Sequence, residues 1–226
     1  MAAVRHRTRE TPRLAVIPKR PDLLGNEDLA PPPRQRRSLA RRNRLEDAAL
    51  RSFGDRGYER TTIGDIAAAA RIPVGGFYLH FRSKRQLLLS LMTDLLVGLD
   101  RLDLRADAGA HPRTILLDLL TRGFDHDLRY LGVYRAWQEA TLSDAGLARK
   151  QDAIQDWTAA RAAGVFRRLL QLPGARPDVD VDTLARVMDS VFWSLLTHAA
   201  RTRDAQLERS VAVTANLIYH VLFVDS

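Results

Sequence analysis

The chain has 226 residues, 46% hydrophobic and 27% charged, the balance of a soluble globular protein long enough to bury a substantial core. It contains no cysteine, which excludes disulfides, thiol chemistry and zinc sites built on thiolates. No apolar run approaches the roughly 18–20 residues that span a bilayer, and the run at 14–17 is too short for a secretory signal, so the expected location is cytoplasmic.

Charge is unevenly spread. Residues 1–92 carry 19 Lys and Arg against 9 Asp and Glu, whereas residues 93–226 carry 16 against 18. A basic front joined to a near-neutral rear suggests that the front meets a polyanion; charge alone leaves nucleic acid and anionic membrane both open. Residues 1–36 hold Pro12, Pro18, Pro21, Pro31, Pro32 and Pro33 among scattered arginines, with no lasting helical or alternating pattern. Such a segment buries little apolar surface, and the expectation is a basic, proline-rich disordered arm.

From residue 38 onward the pattern is helical. Leu45, Ala49 and Phe53 share one face of a helix over 38–56, whose other face carries Arg41, Arg42, Arg44 and Arg51. Gly57 suits a helix end. Thr62 with Asp65 gives a weak capping box, opening a short helix with Ile63, Ile66, Ala67 and Ala70 on one stripe. The chain turns at 71–73, enters a third short helix over 74–81, and restarts at Ser83, where Gln86 completes a second capping box. Leu87, Leu91, Leu95 and Leu102 form the inner face of that fourth helix.

Two short helices joined by a three-residue turn, after a longer helix, form a helix-turn-helix pattern. The expected fold is therefore all-α. A three-helix helix-turn-helix domain occupies 37–92, and a second, C-terminal helical domain occupies 93–226.

The stretch 45–92 resembles the DNA-binding domain of the TetR family of transcriptional regulators. The resemblance rests on several separate elements: Ala48-Ala49, Phe53, Arg56-Gly57-Tyr58, Thr61-Thr62-Ile63, Asp65-Ile66-Ala67, Gly75, Phe77-Tyr78, His80-Phe81, Ser83-Lys84 and Leu87-Leu88. It covers about a fifth of the chain. It implies phosphate contacts from Thr62, Tyr78 and Lys84, and approach to base edges by Val74, Gly75, Gly76, Leu79 and His80. Phe77 and Phe81 are core. Arg36, Arg37, Arg41 and Arg42 suit either a solvated face or an arm along the minor groove. Three residues depart from the family pattern. Arg71 stands where glycine is common, Pro73 where serine is frequent, and Gly76 where a small hydroxyl residue is usual. They leave a recognition helix poor in hydrogen-bonding side chains, so readout is expected to use apolar contact and DNA shape.

The rear reads as helices over 112–130, 133–141, 144–172, 181–202 and 205–224. The last two are apolar on more surface than one small domain covers. Val187, Val191, Leu195, Val211, Leu217 and Ile218 are the candidate dimer contacts, with four helices meeting across a two-fold axis. The resemblance also implies an effector pocket, for which Phe124, Tyr134, Trp137, Gln138, Trp157 and Trp193 are candidates. The fourth helix, running from Lys84 into the rear core, is the expected lever. The run Asp125-His126-Asp127 places adjacent residues on different helix faces and reads as a solvated face rather than a metal site. No metal, cofactor or catalytic constellation is expected.

The sequence thus points to a dimeric repressor that binds a double-stranded, pseudo-palindromic DNA operator and leaves it when a small apolar effector binds. The alternative, which Arg71 and Gly76 keep open, is an all-helical dimeric ligand-binding or adaptor protein whose helix-turn-helix no longer reads DNA.

Overall fold

The computed structural model describes residues 19–32, 35–103, 110–202 and 207–224. Among these the chain forms nine helices: α1 Arg36–Arg56, α2 Ile63–Ala69, α3 Val74–Tyr78, α4 Lys84–Asp100, α5 Pro112–Leu128, α6 Leu131–Ser143, α7 Ala145–Leu169, α8 Val181–Thr202 and α9 Leu207–Leu222. The one extended pairing among the described residues is an isolated bridge between Ala175 and Phe223.

The head is α1–α3 with the start of α4. Leu45, Ala49 and Phe53 of α1 meet Ile66 and Ala70 of α2, Phe77 of α3, and Phe81 and Leu87 beyond it. Burying these side chains is the main driving force for the head, since α2 and α3 are too short to be stable alone. The same cluster continues through Leu91, Leu95 and Leu96 of α4 to Tyr134 and Trp137 of α6, so head and body share a core. A second cluster joins α5, α7, α8 and α9 through Ile115, Phe166, Met188 and Ile218.

Helix ends follow the expected chemistry with two changes. Thr62 and Asp65 form the full reciprocal box, the Thr62 hydroxyl accepting from Asp65 N at 3.1 Å and Asp65 Oδ2 accepting from Thr62 N at 2.9 Å. At Ser83 the box is shifted: Ser83 Oγ accepts from Gln86 N, but Gln86 Oε1 takes the N–H of Arg82 instead of that of Ser83. Helix α3 ends at Tyr78, earlier than the periodicity of 74–81 suggests, and Leu79 leaves through a turn. Gly57 takes φ 81° and ψ 177°, a region open essentially to glycine, and the Glu139 carboxylate occupies the space a Cβ would need.

The expected disordered arm is corrected over residues 19–32. Leu23 is buried in the main core, and its carbonyl accepts from Lys150 Nζ at 2.8 Å. Asp22 Oδ1 accepts from the N–H groups of Leu24 and Gly25, forming a compact turn. Glu27 pairs with Arg85 and Lys150. Proline richness forbids regular helix here, but three well-placed side chains suffice to dock the segment. Residues 1–18, 33 and 34 of that arm lie outside the described residues.

Candidate nucleic-acid interface and effector cavity

The turn between α2 and α3 is a Schellman motif. Ile72 N donates to Ala67 O at 2.9 Å and Arg71 N to Ala68 O at 3.0 Å, with Arg71 left-handed at φ 54°. Arginine therefore adopts the conformation that glycine would take at lower cost. Ile72 is buried, which fixes the entry angle of α3. Pro73 is the N-cap of α3 and makes no side-chain cap bond.

Helix α3 projects one face outward. Val74 and Tyr78 are almost half exposed, Leu79 is 67% exposed, and nothing lies within 4 Å of a Cβ built on Gly75. Thr62, the N-cap of α2, is exposed as well. The Tyr78 ring meets Phe77 edge-on, at 5.6 Å between centroids. Five of the nine residues assigned to the DNA surface are thus accessible: Thr62, Val74, Gly75, Tyr78 and Leu79.

The other four are placed differently. His80 is only 4% exposed, because α3 ends before it and the chain turns inward. Burial, then the charges of Arg42 and Arg41, hold its imidazole below the usual range. Gly76 faces inward: a Cβ there would lie 2.7 Å from Ile72 Cγ2, so the missing hydroxyl is a packing requirement and not a lost base contact. Arg42 is a clamp. Its Nε donates to Glu46 at 3.0 Å, its Nη2 to Ser90 at 2.7 Å and its Nη1 to His80 O at 3.4 Å, and the guanidinium sits 4.4 Å from the Phe81 ring centroid. Burial pushes the Glu46 carboxyl up to about 7, although Arg42 opposes the shift. Lys84 is turned onto the loop before α2. Its Nζ donates to Tyr58 O at 2.6 Å and Thr61 O at 2.9 Å, over the Tyr58 ring. Desolvation lowers its pKa. Lys84 positions the loop that presents Thr62, with one N–H left over. Exposed guanidinium groups around the head come instead from Arg36, Arg37, Arg41, Arg44, Arg60, Arg71 and Arg82.

Helix α6 docks the head onto the body. A Cβ on Gly132 would collide with Leu50 O, so α1 and α6 touch through backbone. Arg135 Nη1 donates to Gly54 O at 2.8 Å, and Glu139 Oε2 accepts from Tyr58 N at 2.7 Å. Residues at i and i+4 on α6 thus bind the C-terminal end of α1 and the loop beyond it.

Behind α6 is a cavity of about 180 Å³ between α4, α5, α6, α7 and α8. Leu95, Leu99, Leu120, Phe192 and Leu196 give it apolar walls, and of the six candidate pocket residues Phe124, Tyr134, Trp157 and Trp193 line it. Trp137 and Gln138 do not: they border a separate cleft, where Trp137 Nε1 donates to Gln151 Oε1 at 2.6 Å. The run 125–127 is corrected too. His126 and Asp127 are buried. His126 Nε2 meets Leu95 O at 2.9 Å and its Nδ1 meets Arg129 at 2.7 Å; since arginine only donates, the ring is neutral with its proton on Nε2. Asp127 Oδ1 accepts from Tyr134 OH at 3.0 Å and lines the cavity. No group of metal-ligating residues occurs among the described residues.

On α8 and α9, Val187 and Leu217 are exposed, and Val191 and Leu195 partly so. Val211 and Ile218 are instead buried within the chain, because they point from α9 into the core. Their places on the open stripe are taken by Val213, Val221 and Val224, at 57%, 42% and 55% exposure. A stripe at i, i+4, i+8 and i+11 reads identically whichever side of a nearly all-apolar helix it lies on, so periodicity could not separate the two faces.

This architecture defines a helix-turn-helix DNA-binding protein with a cavity-bearing helical body. Residues 45–91 match the family described as bacterial regulatory proteins, tetR family. The HTH-type transcriptional repressor KstR2 of Mycolicibacterium smegmatis is 31% identical over 162 residues, which cover 68% of this chain and 77% of that protein. The HTH-type transcriptional regulator BetI of Rhizobium meliloti is 27% identical over 186 residues, covering 79% and 87%. Among solved structures, TylP, a TetR regulator of Streptomyces fradiae, aligns with TM-score 0.62 and 25% identity over 84% of this chain and 89% of its own. The chain belongs to the TetR family of transcriptional regulators. No described helix is long and apolar enough to cross a membrane.

Proposed function

We propose that this regulator is a cytoplasmic homodimeric repressor that acts by binding and not by catalysis. It holds a pseudo-palindromic operator through two copies of α3 and releases it when a small ligand fills the cavity behind α6. The observation that carries this reading is the outward face of Val74, Gly75, Tyr78 and Leu79, coupled by α6 to the cavity wall. Val74 and Leu79 are the groove contacts, suited to thymine methyls. Thr62 and the Tyr78 hydroxyl reach phosphates, and the surrounding arginines supply charge. Repression rather than activation is the reading favoured by the KstR2 relative, a transcriptional repressor.

Release needs a ligand that binds one head spacing better than the other. Tyr134 lines the cavity one residue before Arg135, which holds Gly54 O. A ligand that rotates α6 therefore moves the end of α1, and α1 carries the head. The test is a mobility shift of the intact protein on its own upstream DNA, at several salt concentrations. A specific complex is expected, with log K falling at about 0.9 per neutralised phosphate per log unit of salt. A ligand-binding dimer that ignores every duplex would instead support the adaptor reading.

A further inference from the structure

The cavity's charge inventory says which ligand it takes. Two carboxylates, Asp127 on α5 and Asp189 on α8, line it and are 8% exposed each. The one cation among its described lining residues is Arg161, and its charge is already committed. Nη1 donates to Asp100 at 2.9 Å, Nη2 to the carbonyls of Leu99 and Leu102 at 3.0 Å, and the guanidinium lies over the Trp157 ring. Thr158, whose hydroxyl hydrogen-bonds Asp189, also lines the cavity, and most of the remaining wall is aliphatic or aromatic. Tyr134 and Trp193 meet edge-on at 5.1 Å, as do Phe124 and Phe192 at 5.6 Å. The Trp157 indole N–H is buried without a hydrogen-bond partner among the described residues.

We propose, resting on the reading of this cavity as the effector site, that its ligand is a small apolar amine whose ammonium group is held by Asp127, Asp189 and the aromatic faces. A protonated amine gives two buried acids the counter-charge the protein withholds, and ring faces attract cations further. A carboxylate ligand would meet two like charges and no uncommitted cation. A neutral apolar ligand would leave both acids desolvated with one hydroxyl each, Tyr134 and Thr158, and no counter-charge in the cavity. Burial pushes Asp127 up to about 7, with the Tyr134 hydroxyl and Arg129 opposing, and Asp189 up to about 6, with the Thr158 hydroxyl opposing. The volume of about 180 Å³ suits one ring with a short chain.

The test is calorimetric titration of the full chain at pH 7.5 with three probes on one skeleton: 4-phenylbutylamine, 4-phenylbutanol and 4-phenylbutyrate. The amine is expected to bind at least tenfold more tightly than the alcohol, and the carboxylate not measurably. Asp127→Asn and Asp189→Asn should each weaken the amine tenfold or more while leaving the alcohol within threefold. Equal affinity of amine and carboxylate, absence of amine binding, or amine affinity indifferent to both substitutions would overturn the proposal. The wild-type probe series decides the matter even if a variant fails to fold. Amine that binds without loosening a protein–DNA complex would sink the effector reading alone and leave the ligand class standing.

Discussion

Arg71 holds a left-handed backbone that costs an L-residue about 1 kcal/mol, and its side chain is exposed beside α3. A strained residue is retained where its side chain does something glycine cannot, and at this position the candidate partner is a phosphate. Arg71→Gly is expected to raise the midpoint of thermal unfolding slightly and to weaken DNA binding severalfold, measured by melting and by fluorescence anisotropy. Adjacent glycines respond oppositely. Gly75→Ala meets open space and should leave stability equal or higher while altering operator affinity; Gly76→Ala drives a methyl into Ile72 and should lower stability. The acids of the cavity give a pH signature. Asp127 has its pKa raised by burial, with Tyr134 and Arg129 opposing, so its contribution to stability is full below the unfolded-state value and lost as pH rises through about 7. Asp127→Asn keeps an oxygen for Tyr134, and its melting temperature relative to wild type should therefore be higher at pH 8 than at pH 5.

At the scale of elements, the head was legible because its signals are local. Caps, the turn and the Phe53/Ile66/Phe77 stripe sit within a few residues of one another, and each side chain has one packing solution. Side chains assigned to DNA failed where the backbone changed course. His80 turns inward once α3 ends at Tyr78, and Arg42 and Lys84 have buried-side acceptors that only the tertiary fold supplies. Long-range contacts were illegible for the same reason. Leu23 and Glu27 meet α4 and α7 across more than fifty residues of sequence, and Asp127 is buried by helices that no local pattern places beside it. Leu23→Ala is accordingly expected to cost about 2 kcal/mol of unfolding free energy, where an arm without contacts would tolerate it. The α1–α6 backbone contact makes a sharper test of coupling. Gly132→Ala has no route to DNA, yet it should change operator affinity and ligand response together by prying α6 from Leu50 O.

For the whole molecule, the proposed homodimer would use the open stripe of Val187, Val213, Leu217, Val221 and Val224 as the face for a second copy, and two-fold pairing would then set the separation of the two α3 helices. Leu217→Asp combined with Val213→Asp should give a folded monomer by sedimentation, whose affinity for a full operator falls towards that for half a site. The most direct measurement of the central claim is selection of bound sequences from random double-stranded DNA by the intact protein. The account predicts enrichment of an inverted repeat with half-site centres about one helical turn apart, lost when Val74 and Leu79 are both replaced by Asp. A folded, dimeric protein that enriches no motif, or one whose motif survives those two substitutions, would contradict it.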